Sequence, residues 1–270
     1  MSGVLEFTIL GSGSSGGVPR ADGDWGACDP AEPKNRRTRC SMMVRRRGAG
    51  PEAETTVLVD TAPDLRTQTA EAGARRVDAV LYTHDHADQT HGIDDLRAFF
   101  LRNRMRTACY MDAATAAHLL PRFGYIFDGD AGYPAICEAR PMPPLGEAFA
   151  IEGPSGPIEA VAFDQDHGAI RSLGFRFGAV AYSADAVGFP PQSLALLQDL
   201  DVWVVDALRE RPHPTHAHLE MALDWIATVK PRRAILTNLH IDLDYGALKR
   251  RLPPGVEPAY DGLRFEIETP

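Results

Sequence analysis

The chain has few cysteines, and the four it has do not cluster. Cys28, Cys40, Cys109 and Cys137 are widely spaced and none belongs to a Cys-x-x-Cys pair. That spacing favours neither a disulfide framework nor a thiolate zinc site, and leaves reduced thiols as the reading. Long apolar runs are missing too. None occurs in the first fifty residues, so neither a secretory signal nor a transmembrane helix is expected, and a soluble cytoplasmic protein without membrane contact is. No Ser/Gly linker divides the 270 residues, a length that allows a sizeable buried core in one α/β domain spanning 1–270. Excess positive charge is also absent. The formal charge of −9 opposes binding to long nucleic acid, whose affinity depends on neutralising many phosphates. The local basic clusters Arg36, Arg37 and Arg39, Arg45 to Arg47, and Arg102, Arg104 and Arg106 are expected to be mostly solvated faces.

What the chain does have is a dense polar cluster. Thr83-His84-Asp85-His86-Ala87-Asp88-Gln89-Thr90-His91-Gly92 places three histidines and two aspartates within nine residues. Histidine is the commonest metal ligand and aspartate a hard oxygen ligand, so their convergence reads as a transition-metal site that activates water. The preceding Ala79-Val80-Leu81-Tyr82 reads as a buried strand. Gly92 onward, with Leu96, Phe99 and Phe100 at helical spacing, reads as a helix running to about Arg102. On an extended strand-to-helix loop alternate residues point the same way, so His84, His86 and Asp88 are expected to face one cavity, with Asp85 and Ala87 turned from it.

Strands and helices alternate along the rest of the chain. Leu5 to Leu10 reads as a first strand, followed by a glycine run at Gly11, Gly13 and Gly16. A dinucleotide fold would open a helix at the third glycine, but Val18-Pro19 and a polar stretch to Pro33 follow. The run is therefore read as a rim that brings backbone N–H groups near the site. Ser41 to Arg46 and Thr56 to Asp60 read as paired strands joined by a polar loop from Gly48 to Glu54. Asp60 ends its strand beside the cluster, where it is expected to orient a ligand histidine. A helix from Pro63 to about Ala72 and a strand near Ala108 to Met111 follow. The segment from Pro121 to Gly156, punctuated by glycine and proline, is expected to be irregular. Its Phe123, Tyr125 and Phe127 read either as a small satellite core or as rings flanking a sugar or base. Later strands are expected at Ile158, Ser172 to Phe177, Val180, Asp201 to Val205 and Ala234 to Thr237, with helices near Gln192 and over Leu219 to Thr228.

The loop resembles the metallo-β-lactamase superfamily, whose signature is His-x-His-x-Asp-His after a strand. His84, His86 and Asp88 match its first three ligand positions, and Gln89 stands at the fourth. The chain looks most like the phosphodiesterase branch of the carbon-phosphorus lyase pathway and, more distantly, ribonuclease Z. The resemblance extends to the glycine run and to four later elements. Phe163 to Gly168 supplies His167, Val180 to Asp185 supplies Asp185, Ala234 to His240 supplies His240, and Thr215-His216-Ala217-His218 supplies His216. It implies a four-layer αββα sandwich of two mixed sheets with helices on the outer faces. It also implies a first metal held by His84, His86, His167 and Asp185, and a second held by Asp88, Asp185, His240 and whatever Gln89 offers. His216 would protonate the leaving group, with His218 the weaker candidate, and Asp88 is counted with it in the catalytic set. His91 is expected near the start of the helix, where it could hydrogen-bond a group outside the ligand set. Only Cys28 remains where the nearest relatives carry a zinc-binding cysteine cluster, so no separate structural zinc is expected.

These residues imply a hydrolase using one or two divalent ions, zinc first, with manganese or iron as alternatives. A neutral carbonyl is a poorer ligand than imidazole, so Gln89 is expected to weaken the second site. The favoured substrate is a small anionic phosphodiester or cyclic phosphate, with Arg209 or Arg211 placed to hold its phosphate. A lactam, lactone or thioester hydrolase is the alternative enzyme. A non-catalytic metal or ligand carrier assisting a biosynthetic pathway is the alternative of another class. A homodimer is left open.

Overall fold

Runs of β-branched and other apolar residues organise the chain into two seven-stranded sheets. In the computed structural model, which describes residues 3–48, 50 and 53–269, the first sheet comprises β1 (Gly3–Gly11), β2 (Ser41–Arg47), β3 (Glu54–Val59), β4 (Ala79–Leu81), β5 (Thr107–Met111), β6 (Cys137–Pro141) and the last strand, β14 (Arg264–Thr269). The second comprises β7 (Ala148–Ile151), β8 (Ile158–His167), β9 (Ile170–Phe177), β10 (Val180–Ser183), β11 (Val202–Asp206), β12 (Arg233–Thr237) and β13 (Val256–Pro258). The helices are α1 (Leu65–Glu71), α2 (Ala87–Thr90), α3 (Leu96–Asn103), α4 (Ala113–Arg122), α5 (Gly124–Phe127), α6 (Pro191–Leu196), α7 (Leu219–Val229) and α8 (Tyr245–Arg251).

The spatial orders are β14-β1-β2-β3-β4-β5-β6 and β13-β12-β11-β10-β9-β8-β7. Both sheets are mixed. Pairing is antiparallel from β14 to β3 and parallel from β3 to β6. In the second sheet it is antiparallel from β7 to β10 and parallel from β10 to β13. Every residue of β3, β4 and β11 is buried, as strands covered on both faces require. Phe7, Met42, Val44, Val57 and Val59 from one sheet meet Phe175, Phe177, Tyr182, Val204 and Ile235 from the other. Phe7 stacks on Phe265 at 5.1 Å and meets Phe177 edge-on at 6.2 Å, fastening the two layers together. On the outer face of the first sheet Leu65, Leu96, Phe99 and Leu119 come from helices. Leu219, Ala222, Ile226, Val229 and Leu248 do the same for the second. The architecture is the four-layer αββα sandwich.

Several local expectations are corrected. α2 starts at Ala87, with His86 as its N-cap, so Asp88 lies in a helical turn and the strand-like alternation stops at His86. The helix expected over 92–102 is divided into a 3₁₀ turn, Ile93–Asp95, and α3. Residues 121–156 are more regular than expected. α4 runs through Pro121 and is capped by Asp112, which accepts from Thr115 N at 2.7 Å, and α5, β6 and β7 follow. Phe123 and Phe127 pack against the outer core of the first sheet, while the Tyr125 hydroxyl donates to Asp94 at 3.1 Å.

The basic clusters are also not uniformly solvated. Arg45 is buried against Glu6 and Glu54. Arg37 is buried too, and it donates to the carbonyls of Leu243 at 2.7 Å and His240 at 3.3 Å. Burial of the two guanidinium groups is offset by these contacts, although Arg37 Nε has no partner among the described residues. In the loop between β2 and β3, residues 49, 51 and 52 lie outside the described residues.

β1 leads into the glycine run through Gly11, where an added Cβ would lie 2.0 Å from the Arg39 carbonyl oxygen. Only glycine permits that approach. Beyond it, Ser12 and Thr38 are held by one carboxylate. Asp261 Oδ1 accepts from Ser12 N and Oγ at 2.9 and 2.8 Å, and Oδ2 from Thr38 N and Oγ1 at 2.7 and 2.6 Å.

Candidate metal centre

The site forms where strand ends of both sheets face each other. β4 ends at Leu81, and Tyr82 and Thr83 carry the chain to His84 and His86. β8 of the second sheet ends at His167, and the backbone N–H of Leu173 on β9 donates to the Thr83 carbonyl at 2.9 Å, joining the two edges. The rings of His84 and His86 lie 4.5 Å apart, those of His84 and His167 4.9 Å, and those of His86 and His167 5.3 Å. One ring nitrogen from each falls within 4.8 Å of the others. That separation suits three ligands around one cation.

The tautomers are set from outside the cluster. Asp60, in the left-handed conformation at φ 64°, accepts from Thr83 N and Thr83 Oγ1, both at 2.8 Å. With its proton committed to Asp60, Thr83 Oγ1 accepts from His84 Nδ1 at 2.9 Å. His167 Nδ1 donates to the Thr215 carbonyl at 2.8 Å. Each ring is left with an unprotonated Nε2, and His84 Nε2 is buried with no hydrogen-bond partner among the described residues. Burial, followed by the neighbouring His167, His86 and His216, holds His84 well below the usual imidazole range. Burial and then His216 hold His167 at about 4. Neutral imidazoles with free lone pairs are what a divalent cation needs; His84 and His167 offer them, and the proximity of His86 completes a group that fits one. Asp85 faces the other way, 2.7 Å from His118 Nδ1. Asp60 acts on His84 through Thr83 rather than directly.

A second group joins His167, Asp185 and His216 within the same limit. Asp185 follows β10, fully desolvated, and burial pushes its carboxyl up. His216 Nδ1 lies 3.0 Å from Asp206 Oδ2 and 3.6 Å from Asp185 Oδ1. Burial opposes the imidazolium, but Asp206, Asp185 and Asp88 outweigh it, and His216 is pushed up to about 9. The ring lines a cavity of about 260 Å³ with Ser14, Ser15, Arg20, Asp88, Arg209 and Asn238. With Nδ1 committed to Asp206, Nε2 is the nitrogen left for that cavity.

Not every expected residue joins these groups. His240 lines the cavity but stands outside both. Its Nε2 accepts from Arg20 Nη2 at 2.6 Å, while its Nδ1, 3.1 Å from Asp242 Oδ2, has no hydrogen-bond partner among the described residues. The residue that faces Asp185 after β12 is Asn238, two positions earlier, with Nδ2 3.4 Å from Asp185 Oδ1. Asp88 is in the cavity wall and its Oδ2 meets Gln89 Nε2 at 3.4 Å. Gln89 itself donates to Asp185 Oδ2 at 3.0 Å. His91 packs edge-on against Phe123 at 5.7 Å. His218 caps α7 with Nδ1 unpartnered among the described residues. Arg209 reaches the cavity with its guanidinium tethered to the Arg211 and Pro212 carbonyls at 3.2 and 3.0 Å.

Sequence reasoning missed Arg20, Asn238, Asp206 and Cys40. Asp206, at the end of the apolar β11, carried the one signal available, the strand-tip carboxylate pattern already noted for Asp185. Cys40 is buried with Sγ 3.8 Å from Asp185 Oδ2, which no cysteine spacing could reveal. Among the described residues no helix is long and apolar enough to cross a membrane.

Comparison with known proteins agrees with this fold. Among solved structures, a diphosphatase from the PhnP family is 33% identical, with a TM-score of 0.86 and 99% of each chain covered. The short form of human tRNase Z is 16% identical, with a TM-score of 0.65, covering 96% of this chain and 98% of that one, a likeness of fold alone. A Porphyromonas gingivalis protein named octanoyltransferase is 30% identical over 273 residues, 98% of this chain and 52% of that protein, so the chain spans about half its length. The family described as the beta-lactamase superfamily domain matches residues 55–241, and the chain belongs to that family.

Proposed function

We propose that the chain is a metal-dependent phosphodiesterase acting on a small anionic phosphodiester or cyclic phosphate. The observation that carries this reading is the composition of the 260 Å³ cavity, in which His216, backed by Asp206, stands with Arg20 and Arg209 beside the histidine cluster. Two guanidinium groups in so small a space suit phosphate oxygens, and a carboxylate-backed imidazole suits protonation of an alkoxide leaving group. The resemblance to a PhnP-family diphosphatase supports the same substrate chemistry.

His84, His86 and His167 would hold the metal ion, zinc being first choice for three imidazoles, with manganese or iron as alternatives. A bound ion there supplies a water of lowered pKa and a positive charge for the phosphoryl oxygen. The chain's own residues do the rest. Arg209 and Arg20 hold the phosphate, the loop Ser14 to Gly16 closes one side of the cavity, Asp88 and Asp185 orient the attacking water, and His216 delivers the proton from Nε2 as the ester bond breaks.

A second reading is hydrolysis of a carbonyl ester or thioester. It draws on the partial match to the octanoyltransferase and on an apolar groove of about 720 Å³ lined by Met111, Ala116, Leu120, Met142, Leu145 and Leu173. Assay of the metal-loaded chain against bis-p-nitrophenyl phosphate and p-nitrophenyl octanoate in parallel separates the two. Turnover confined to the phosphate supports the proposal, and turnover confined to the octanoate replaces it.

A further inference from the structure

Asp185 presents a carboxylate whose two oxygens both meet protein donors. Gln89 Nε2 donates to Oδ2 at 3.0 Å, and Cys40 Sγ lies 3.8 Å from the same oxygen. On the other side Asn238 Nδ2 is 3.4 Å from Oδ1, and His216 Nδ1 is 3.6 Å from it. Cys40, Gln89, Asp185 and Asn238 are all buried, so these contacts are made out of water and their geometry is held by packing.

The orientation of the Gln89 amide follows from its surroundings. Its NH₂ has Asp185 Oδ2, Asp88 Oδ2 and Cys40 Sγ as acceptors. Turned over, the amide would aim a carbonyl oxygen at two carboxylates and leave both NH₂ hydrogens without them. Asn238 is placed by its backbone. At φ 62° it sits in the left-handed region that asparagine tolerates, and the chain then carries His240 away to Arg20 and Asp242.

A carboxylate shared by two cations needs a lone pair free toward each, and the second cation needs further strong ligands. Here the Gln89 amide and the Cys40 thiol meet one oxygen of Asp185 and the Asn238 amide meets the other, while of the imidazoles lining that cavity His216 has Nδ1 on Asp206 and His240 has Nε2 on Arg20. We infer that this chain holds one metal ion, at His84, His86 and His167, and that Gln89, Asn238 and Cys40 close the position where a second would bind. Their hydrogens do locally what a second charge would do, keeping Asp185 oriented toward the first site. The inference rests on the metal-binding part of the proposed function and not on the substrate.

The test is a metal count that needs no turnover. The full chain is stripped, titrated with zinc and separately with cobalt(II), and counted by mass spectrometry after dialysis, with the cobalt absorption bands followed in parallel. One equivalent is expected to survive dialysis in the native chain. The Gln89→His/Asn238→His double variant is expected to hold a second, with affinity raised by about 100-fold. Two equivalents of matched affinity in the native chain would overturn the inference, as would none.

Should the double variant not fold, Gln89→Ala decides. One metal in both it and the native chain supports the inference, and two in the native chain falling to one in Gln89→Ala contradicts it. Absence of phosphodiester hydrolysis with one metal bound would remove the proposed substrate and leave the count standing. Hydrolysis with two bound would do the reverse.

Discussion

Asp206 Oδ2 lies 3.0 Å from His216 Nδ1 and accepts from the backbone N–H of Ala186 at the same distance. One oxygen thereby ties the proposed proton donor to the turn that carries Asp185, and fixes which ring nitrogen faces the cavity. Asp206 touches neither the cluster of three histidines nor the space for substrate, so it is a positioning residue. Removing its charge acts through His216.

Asp206→Asn is therefore expected to lower kcat on alkyl phosphodiesters by about 10² and to affect p-nitrophenyl diesters much less, because p-nitrophenolate leaves without a proton. His216→Ala should show the same leaving-group pattern with a larger loss, up to about 10⁴. Comparison of kcat across a series of leaving groups checks this. Equal losses across the series would mean the pair does not deliver the proton.

Thr83 connects Asp60 to His84 by hydrogen bonds of 2.8 and 2.9 Å. Thr83→Val keeps the volume and removes the relay, leaving His84 free to change tautomer. Metal affinity should fall about 10–100-fold, measured by competition with a chromophoric chelator. Unchanged affinity would mean that packing alone orients the ring.

The guanidinium of Arg209 is braced on two carbonyls and that of Arg20 on His240. Arg20→Ala and Arg209→Ala are expected to raise KM for a diester by about tenfold each, consistent with loss of one charge-assisted contact worth about 1.5 kcal/mol. Metal content should not change. Steady-state kinetics with matched metal counts checks the prediction, and a fall in kcat alone would argue against phosphate binding by these residues.

Asp261 supports the glycine loop from beneath, and burial pushes it up to about 6 although four donors act against the shift. The folded chain thus binds that proton more tightly than the unfolded one does. Its contribution to stability is fully present below about pH 4 and is lost as the pH rises through about 6, amounting to about 3 kcal/mol. Asp261→Asn should flatten that part of the pH profile. It should also lower stability at pH 4 by about 1–3 kcal/mol, since an amide cannot accept from both Ser12 and Thr38. Denaturant unfolding at pH 4 and pH 7 measures both effects, and an unchanged slope would contradict the first.

Much of the fold was legible in the sequence. Continuous apolar runs marked β3, β4, β10, β11 and β12, because strands buried on both faces carry no polar alternation. His84 and His86 beyond β4 followed from that placement, and His167 after β8 and Asp185 after β10 from the resemblance. The failures have physical reasons. Asp88 and Gln89 were read on an extended loop, but His86 caps a helix and the turn redirects Gln89 onto Asp185. His240 was read as a ligand from the resemblance; the left-handed turn at Asn238 sets the asparagine against Asp185, and His240 lines the same cavity with Nε2 on Arg20. Arg37 and Arg45 looked like surface charge because partners such as Leu243 and Glu6 lie far away in sequence. α4 was hidden by Pro121, which sits in its last turn.

The most direct test of the account is hydrolysis of bis-p-nitrophenyl phosphate by the full chain, stripped and then reloaded with zinc or manganese, alongside His84→Ala and His167→Ala. The account predicts turnover that appears on reloading, disappears in both variants, and is accompanied by no hydrolysis of p-nitrophenyl octanoate. A metal-loaded chain that leaves the diester intact, or turnover that survives loss of either histidine, would contradict it.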